Sequence, residues 1–265
     1  MPSTSPASAP ERLRLENVSK TFDSGGKGTK ALGDVNISIK EGEFVTLIGP
    51  SGCGKSTLFN IVAGLTAPDC GGRMFLDGRE QAFDHLLGRV AFMPQRDMLL
   101  PWRTVIDNAI LALEIEGRPK KEARDLARPM IKEFGLGGFD NHYPQQLSGG
   151  MRQRVALMRT FLFDRNLMLL DEPFGALDAL TRNAMQRWLL DVWEKHRRTV
   201  IFVTHDIDEA IFLGDRVIAM AARPGRIVLD EKIELDRPRD ASIVTSPDFI
   251  SLKRRLLSVL GDGAH

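Results

Sequence analysis

An apolar run, Phe44 to Ile48, passes directly into Gly49-Pro50-Ser51-Gly52-Cys53-Gly54-Lys55-Ser56. Beyond that loop Leu58, Ile61, Val62 and Leu65 recur at helical spacing. A strand, a glycine-rich turn and a helix in immediate succession constrain the fold strongly. The turn must let the backbone approach itself closely, which glycine permits. Its N–H groups then gather at the positive end of the following helix.

The rest of the chain extends this pattern. Leu13 to Val18, Val35 to Ile39, Val90 to Met93, Leu167 to Leu170, Val200 to Val203, Arg216 to Met220 and Arg226 to Leu229 also read as strands. Helical patterns separate many of them, as with Val155, Met158 and Leu162. Strand–helix alternation predicts an α/β fold with a largely parallel sheet. Four of these strands end in polar groups: the glycine loop after Ile48, Pro94-Gln95 after Met93, Asp171-Glu172 after Leu170, and Thr204-His205 after Val203. Parallel sheets bind ligands outside the carboxyl ends of their strands, so these groups can meet at one ligand.

Residues 96–141 carry helical patterns (Val105 to Leu113, Lys121 to Phe134) and no strand pattern, which predicts a helical insertion, about 96–159. The end of the chain, Pro238 to His265, predicts an amphipathic helical tail with Ile250, Leu252, Leu256, Leu257 and Leu260 as its apolar positions. We divide the chain into a Pro/Ser/Ala-rich disordered tail (1–11), a main α/β domain (12–240) and a helical tail (241–265).

Composition bounds the function. With 265 residues, 43% of them hydrophobic, the chain can bury a substantial core. Its 36 basic and 35 acidic residues give no general case for nucleic-acid binding. Cys53 and Cys70 have no metal-ligand spacing, and both read as reduced thiols. No apolar run approaches a membrane-spanning length, so work at a membrane requires docking onto an embedded partner.

The loop is built to hold a polyphosphate. Gly49, Gly52 and Gly54 bring N–H groups inward, Lys55 adds a point charge for the β- and γ-phosphates, and the Ser56 hydroxyl is placed to ligate Mg²⁺. The bland reading, a chance glycine-rich turn, does not explain the flanking strand and helix. Asp171 at a strand end can hold Mg²⁺, and Glu172 is the candidate general base for an attacking water. In isolation the two acids would read as a solvated strand end. Gln95 alone would read as a surface residue and His205 as a structural histidine; their shared placement gives Gln95 access to Mg²⁺ or the water, and His205 access to the γ-phosphate. Phe22 reads equally as an adenine-stacking face or a core residue. Ser148 caps a predicted helix beginning Gly149-Gly150, which is either a simple cap or an anion site.

Taken together, Leu13 to about Leu235 resembles the nucleotide-binding subunit of ATP-binding-cassette (ABC) transporters. Gly49 to Ser56 resembles the Walker A motif and Leu167 to Asp171 Walker B. Glu172 matches the catalytic glutamate, Gln95 the Q-loop, Leu147 to Gln153 the signature, Ala176-Leu177-Asp178 the D-loop and His205 the switch histidine. The resemblance implies a P-loop NTPase core with an N-terminal antiparallel β part and an inserted helical subdomain. It implies ATP and Mg²⁺ as ligands, with catalysis by Glu172, His205 and Gln95 and metal binding by Ser56, Gln95 and Asp171. It implies nucleotide contacts from Phe22, Gly49, Pro50, Ser51, Gly52, Cys53, Gly54, Lys55, Ser56 and Thr57 of one chain, with Asp178 nearby. Ser148, Gly149, Gly150 and Gln153 would serve the ATP of a second cassette packed head to tail, so the implied partners are a second such subunit, two membrane permease subunits and, indirectly, a periplasmic binding protein. The implied place is the cytoplasmic face of the inner membrane.

At finer grain, Leu100-Pro101-Trp102-Arg103-Thr104-Val105 and Ala222-Arg223-Pro224-Gly225-Arg226 resemble the nitrate/sulfonate/taurine branch of bacterial importers. The helix after the signature departs from the common pattern at Met158 to Leu162 and Asp164-Arg165-Asn166. The apolar stretch Met98 to Val105 is expected to line a groove for a membrane subunit, or to fold into the insertion's own core. The alternative function is a soluble cassette ATPase, such as one assembling iron–sulfur clusters. A GTPase is excluded because no Asn-Lys-x-Asp run is present.

Overall fold

The computed structural model describes residues 9–24 and 27–262, so the expected disorder of residues 1–8 lies outside the described residues. Glu11, assigned above to the tail, already belongs to a strand, and Pro10 accepts a backbone hydrogen bond from Glu41 N at 2.8 Å.

Two sheets build the described residues. The larger has six strands: β3 (Phe44–Ile48), β6 (Ala91–Met93), β7 (Leu167–Asp171), β8 (Thr199–Val203), β9 (Arg216–Ala221) and β10 (Arg226–Lys232). Their order is β10-β9-β3-β8-β7-β6, parallel except for β10, which pairs antiparallel with β9. The smaller sheet is antiparallel, in the order β2-β1-β4-β5. It comprises β1 (Glu11–Ser24), β2 (Lys27–Lys40), β4 (Arg73–Leu76) and β5 (Arg79–Gln81).

Strand periodicity sorts the core into two halves. Phe44, Ile48, Met168, Leu170, Val200, Phe202, Val217 and Ala219 face one side of the large sheet. The alternate residues Val45, Leu47, Leu167, Leu169, Ile201, Val203, Ile218 and Met220 face the other. Strands buried on both faces read as continuous apolar runs, which is why they were visible in the sequence. The second face is covered by α1 (Lys55–Val62) and the antiparallel sheet, through Leu58, Phe59, Ile61, Leu13, Leu15, Ile37 and Met74. The first face is covered by α5 (Gly149–Leu162), α6 (Ala179–His196), α7 (Ile207–Leu213) and α8 (Pro247–Asp262). Phe249, Leu252 and Leu256 of α8 are buried, so the C-terminal helix is part of this core and not an appendage.

The insertion contributes α2 (Val105–Ala109), α3 (Leu111–Ile115) and α4 (Lys120–Glu133). The predicted single helix 105–113 is two short ones, parted at Ile110 where the backbone turns to φ −85°, ψ 0°. At the insertion's far end α5 runs unbroken past residue 159 to Leu162, carrying the chain back onto the sheet. Among the described residues no helix is long and apolar enough to cross a membrane.

Candidate nucleotide site

The site is assembled at the carboxyl edge of the parallel strands. β3 delivers the glycine loop, and α1 starts at Lys55 with Gly54 as its N-cap at φ 95°, a conformation open to glycine. A Cβ on Gly49 would stand 2.5 Å from Met220 O, so the loop can leave β3 only because that position has no side chain. Lys55 is buried; its Nζ donates to Gly49 O at 2.7 Å and Pro50 O at 3.1 Å, across the mouth of the loop. Ser51 and Gly52 are exposed at the tip, Thr57 lies one residue into α1 beyond Ser56, and Cys53 turns inward with Sγ 3.6 Å from Lys55 Nζ. The Cys53 thiol is therefore turned away from the exposed tip of the loop.

Two strands away, β7 ends at Asp171, which is buried and has the Ser56 hydroxyl beside it. Burial raises its pKa, the neighbouring Glu172 raises it further, and Ser56 and Lys55 pull the other way. Glu172 follows in left-handed conformation, φ 44°, uncommon for a residue with a side chain. Its N–H donates to Val203 O at 3.0 Å. That turn aims Oε2 at two other strand tips. Gln95 Nε2 donates to Glu172 Oε2 at 3.0 Å, and His205 Nδ1 lies 3.4 Å from the same oxygen. The strand order explains the meeting, because β6, β7 and β8 are adjacent. Ser56, Lys55, Asp171, Glu172, Gln95 and His205 thus form one connected cluster.

Other predicted residues stand apart. Ser148 caps α5, accepting from Met151 N at 3.3 Å; a Cβ on Gly149 would meet Leu177 and one on Gly150 would meet Thr181. These contacts are with the Asp178 region and not with the glycine loop. Asp178 caps α6 by accepting from Thr181 N at 3.0 Å, and that bonding holds its carboxyl below its usual range. Gln153 does not join the exposed Ser148 and Gly149. It falls on the buried stripe of α5 with Ala156, Leu157 and Thr160, at helical spacing i, i+3, i+4, i+7, and its Oε1 has no partner among the described residues. Phe22 is not a core residue: it is 42% exposed near the tip of the β1–β2 hairpin, with Lys20 Nζ 5.4 Å from its ring centre. Trp102 is 72% exposed, as Met98 is in large part, while Leu99 packs against the core.

Three polar groups escaped the sequence reading. Buried Asn108 accepts from Leu100 N at 2.7 Å and donates to the carbonyls of Leu100, Arg103 and Thr104 at 3.1, 2.9 and 3.1 Å. Buried Glu209 accepts from the Thr204 hydroxyl and from Gln186 Nε2 at 2.8 Å, tying α6 to the His205 turn. Arg159 donates to the carbonyls of Asp97 and Met98. Gln186 lies 23 residues from Glu209 and Asp97 lies 62 from Arg159, while the Asn108 bonds depend on the loop turning back on itself, so only chain folding makes these pairings legible.

Comparison with known proteins agrees with this geometry. A family model described as "ABC transporter" matches residues 32–175. An uncharacterised ABC transporter ATP-binding protein of Methanocaldococcus jannaschii is 48% identical over 251 residues, covering 95% of this chain and 92% of the relative. An aliphatic sulfonates import ATP-binding protein of Bacillus cereus is 41% identical, over 92% and 94% of the two chains. A formylaminopyrimidine import ATP-binding protein of Halalkalibacterium halodurans is 42% identical, over 81% of each. Among solved structures, a bacterial ABC transporter cassette in dimeric form matches with TM-score 0.73 at 36% identity, over 84% of this chain and all of that one. The same cassette is known as a post-hydrolysis dimer bound to ADP and phosphate. The strand-edge cluster, the matched family model and these relatives together place the chain in the ABC transporter family, as its ATP-binding and ATP-hydrolysing subunit.

Proposed function

We propose that this subunit drives an importer, docking on the cytoplasmic face of the membrane against two permease subunits and closing as a homodimer around two ATP molecules. The observation that carries the catalytic part is the shared oxygen: Glu172 Oε2 meets both Gln95 and His205, beside Asp171 and Lys55. In this reading Glu172 takes a proton from the attacking water as oxygen bonds to the γ-phosphorus and the bond to the ADP oxygen breaks. His205 donates to a γ-phosphate oxygen, Lys55 and the loop N–H groups hold the β- and γ-phosphates, and Phe22 stacks on adenine.

The donor set fits Mg²⁺. Ser56 and Asp171 are hard oxygen ligands side by side, and Asp171 is a buried carboxyl that a cation would keep ionised. With Gln95 they would hold the ion, which supplies charge neutralisation on the phosphates. Ser148, Gly149 and Gly150 would reach the ATP of the partner cassette, since in this chain they face the Asp178 region instead of the loop; Asp178 would lie at the same junction.

The cargo would be a small anion such as nitrate, a sulfonate or taurine, delivered by a periplasmic binding protein. A relative acting on aliphatic sulfonates supports that class. Exposed Met98 and Trp102 support the Gln95 loop as the docking groove for the permease. The test is purification from native membranes with mass spectrometry of partners and bound ligand. Two integral membrane subunits should accompany the chain; its recovery without any would overturn the importer reading.

A further inference from the structure

The loop after Gln95 is held by two different anchors. Its distal half, Leu100 to Thr104, is fastened to α2 by Asn108. Its proximal half is fastened to α5. Arg159 lays its guanidinium across the backbone there, with Nη2 donating to Asp97 O at 2.6 Å and Nη1 to Met98 O at 2.9 Å. Arg152, seven residues earlier and so on the same face of α5, puts Nε 3.3 Å from Asp97 Oδ2. Its Nη1 donates to Leu147 O at 2.9 Å, beside the Ser148 cap. Asp97 Oδ1 accepts from Leu99 N at 3.2 Å, and Met98 sits between these anchors at φ 48°. Burial depresses the pKa of Arg159 while Asp97 opposes it, as expected for a guanidinium turned inward. A planar fork with two donors on successive carbonyls fixes orientation as well as distance.

We propose that Arg159, with Arg152 acting through Asp97, is a positioning residue that locks the Gln95 loop to α5. Gln95 at one half-site and Ser148-Gly149-Gly150 at the other then move as one body. The inference rests on the reading of those residues as parts of two half-sites. α5 is continuous from Gly149 to Leu162, so a displacement of the loop at Arg159 is carried along a stiff rod to the Ser148 cap. Asn108 already holds the rest of the loop, so the contacts of Arg159 are not needed merely to keep it folded. Their particular consequence is the link to α5.

The test uses the full chain carrying Glu172→Gln, in which ATP is held and not consumed, with and without Arg159→Gln. Affinity of the monomer for a fluorescent ATP analogue should stay within about twofold, while the ATP concentration for half-maximal dimerisation, read by light scattering, rises by about tenfold. Arg159→Lys, able to reach one carbonyl, should recover part of the shift. Asp97→Asn, which keeps the acceptor for Leu99 N but loses the charge facing Arg152, should move dimerisation the same way by about threefold without lowering the thermal midpoint; it decides the matter if Arg159→Gln does not fold. Dimerisation unchanged in both variants overturns the proposal, as does a parallel loss of monomer nucleotide binding and thermal stability. If the Glu172→Gln parent itself forms no dimer with ATP, the two-half-site reading fails and not the link.

Discussion

At the scale of single residues, the site depends on carboxyls whose surroundings differ. Glu172 is held in a left-handed turn with its Oε2 shared by Gln95 and His205. Glu172→Gln keeps the shape and removes the proposed base, so single-turnover measurements should show nucleotide binding retained and turnover reduced by about 10²–10⁴-fold. Turnover at the parent rate would remove Glu172 from that role. Glu209 lies behind His205 with its carboxyl raised by burial, against the bonds from Thr204 and Gln186. A carboxyl with a raised folded pKa contributes stability that is full below its unfolded value and is lost as pH rises through the folded one. Glu209→Gln cannot titrate, so the stability of the parent relative to this variant should fall as pH rises from about 4 to about 8. Urea midpoints across that range check the sign, and a flat difference would contradict it.

Among elements, visibility followed how local the cause was. β3, the glycine loop and α1 were visible because each is dictated by neighbours within a few residues. The β4–β5 hairpin was missed although its signal was present: Asp77-Gly78, at φ 52° and 70°, is a dipeptide suited to a two-residue turn between short strands. The Met98–Thr104 loop was not legible, because its shape depends on Asn108 turning back from α2 and Arg159 reaching across from α5. Asn108→Leu fits the space but strands Leu100 N and the Arg103 carbonyl, so chemical denaturation should show a loss of about 2–4 kcal/mol. Nucleotide affinity of the monomer should hold, since the glycine loop is built on β3 and α1.

For the whole molecule, the C-terminal segment closes the structure. Arg239 is buried and donates to the carbonyls of Ile211, Phe212 and Gly214 at 2.9, 3.0 and 2.7 Å, ending α7, and burial with neighbouring Arg237 lowers its pKa to about 10. Lys253 of α8 pairs with Asp208 at 2.7 Å near the start of α7. The helix that follows His205 is thus gripped at both ends. Arg239→Met should leave those carbonyls unpaired and cost about 3 kcal/mol, measured as a lowered unfolding midpoint. Assembly gives a separate prediction. Ser148→Arg places a bulky cation at an exposed helix start that packs on the Asp178 region, so monomer nucleotide binding should persist while ATP-dependent dimerisation, followed by size-exclusion chromatography, is lost. Loss of monomer binding instead would argue that the signature serves its own chain's nucleotide.

The amino-acid order alone determined the alternation of apolar strands with amphipathic helices, the phosphate-binding turn and the polar tips of four strands. Those features follow from backbone sterics and side-chain periodicity over a few residues. The tertiary structure decided which tips touch, because adjacency in the β3-β8-β7-β6 order is a property of the sheet and not of chain separation. It also decided that Gln153 turns inward, that Phe22 stays outside, and that Arg159 and Glu209 take partners the chain does not announce. A buried polar side chain takes whichever partner the surrounding fold brings within reach of a hydrogen bond, and that choice exists only once the core has formed.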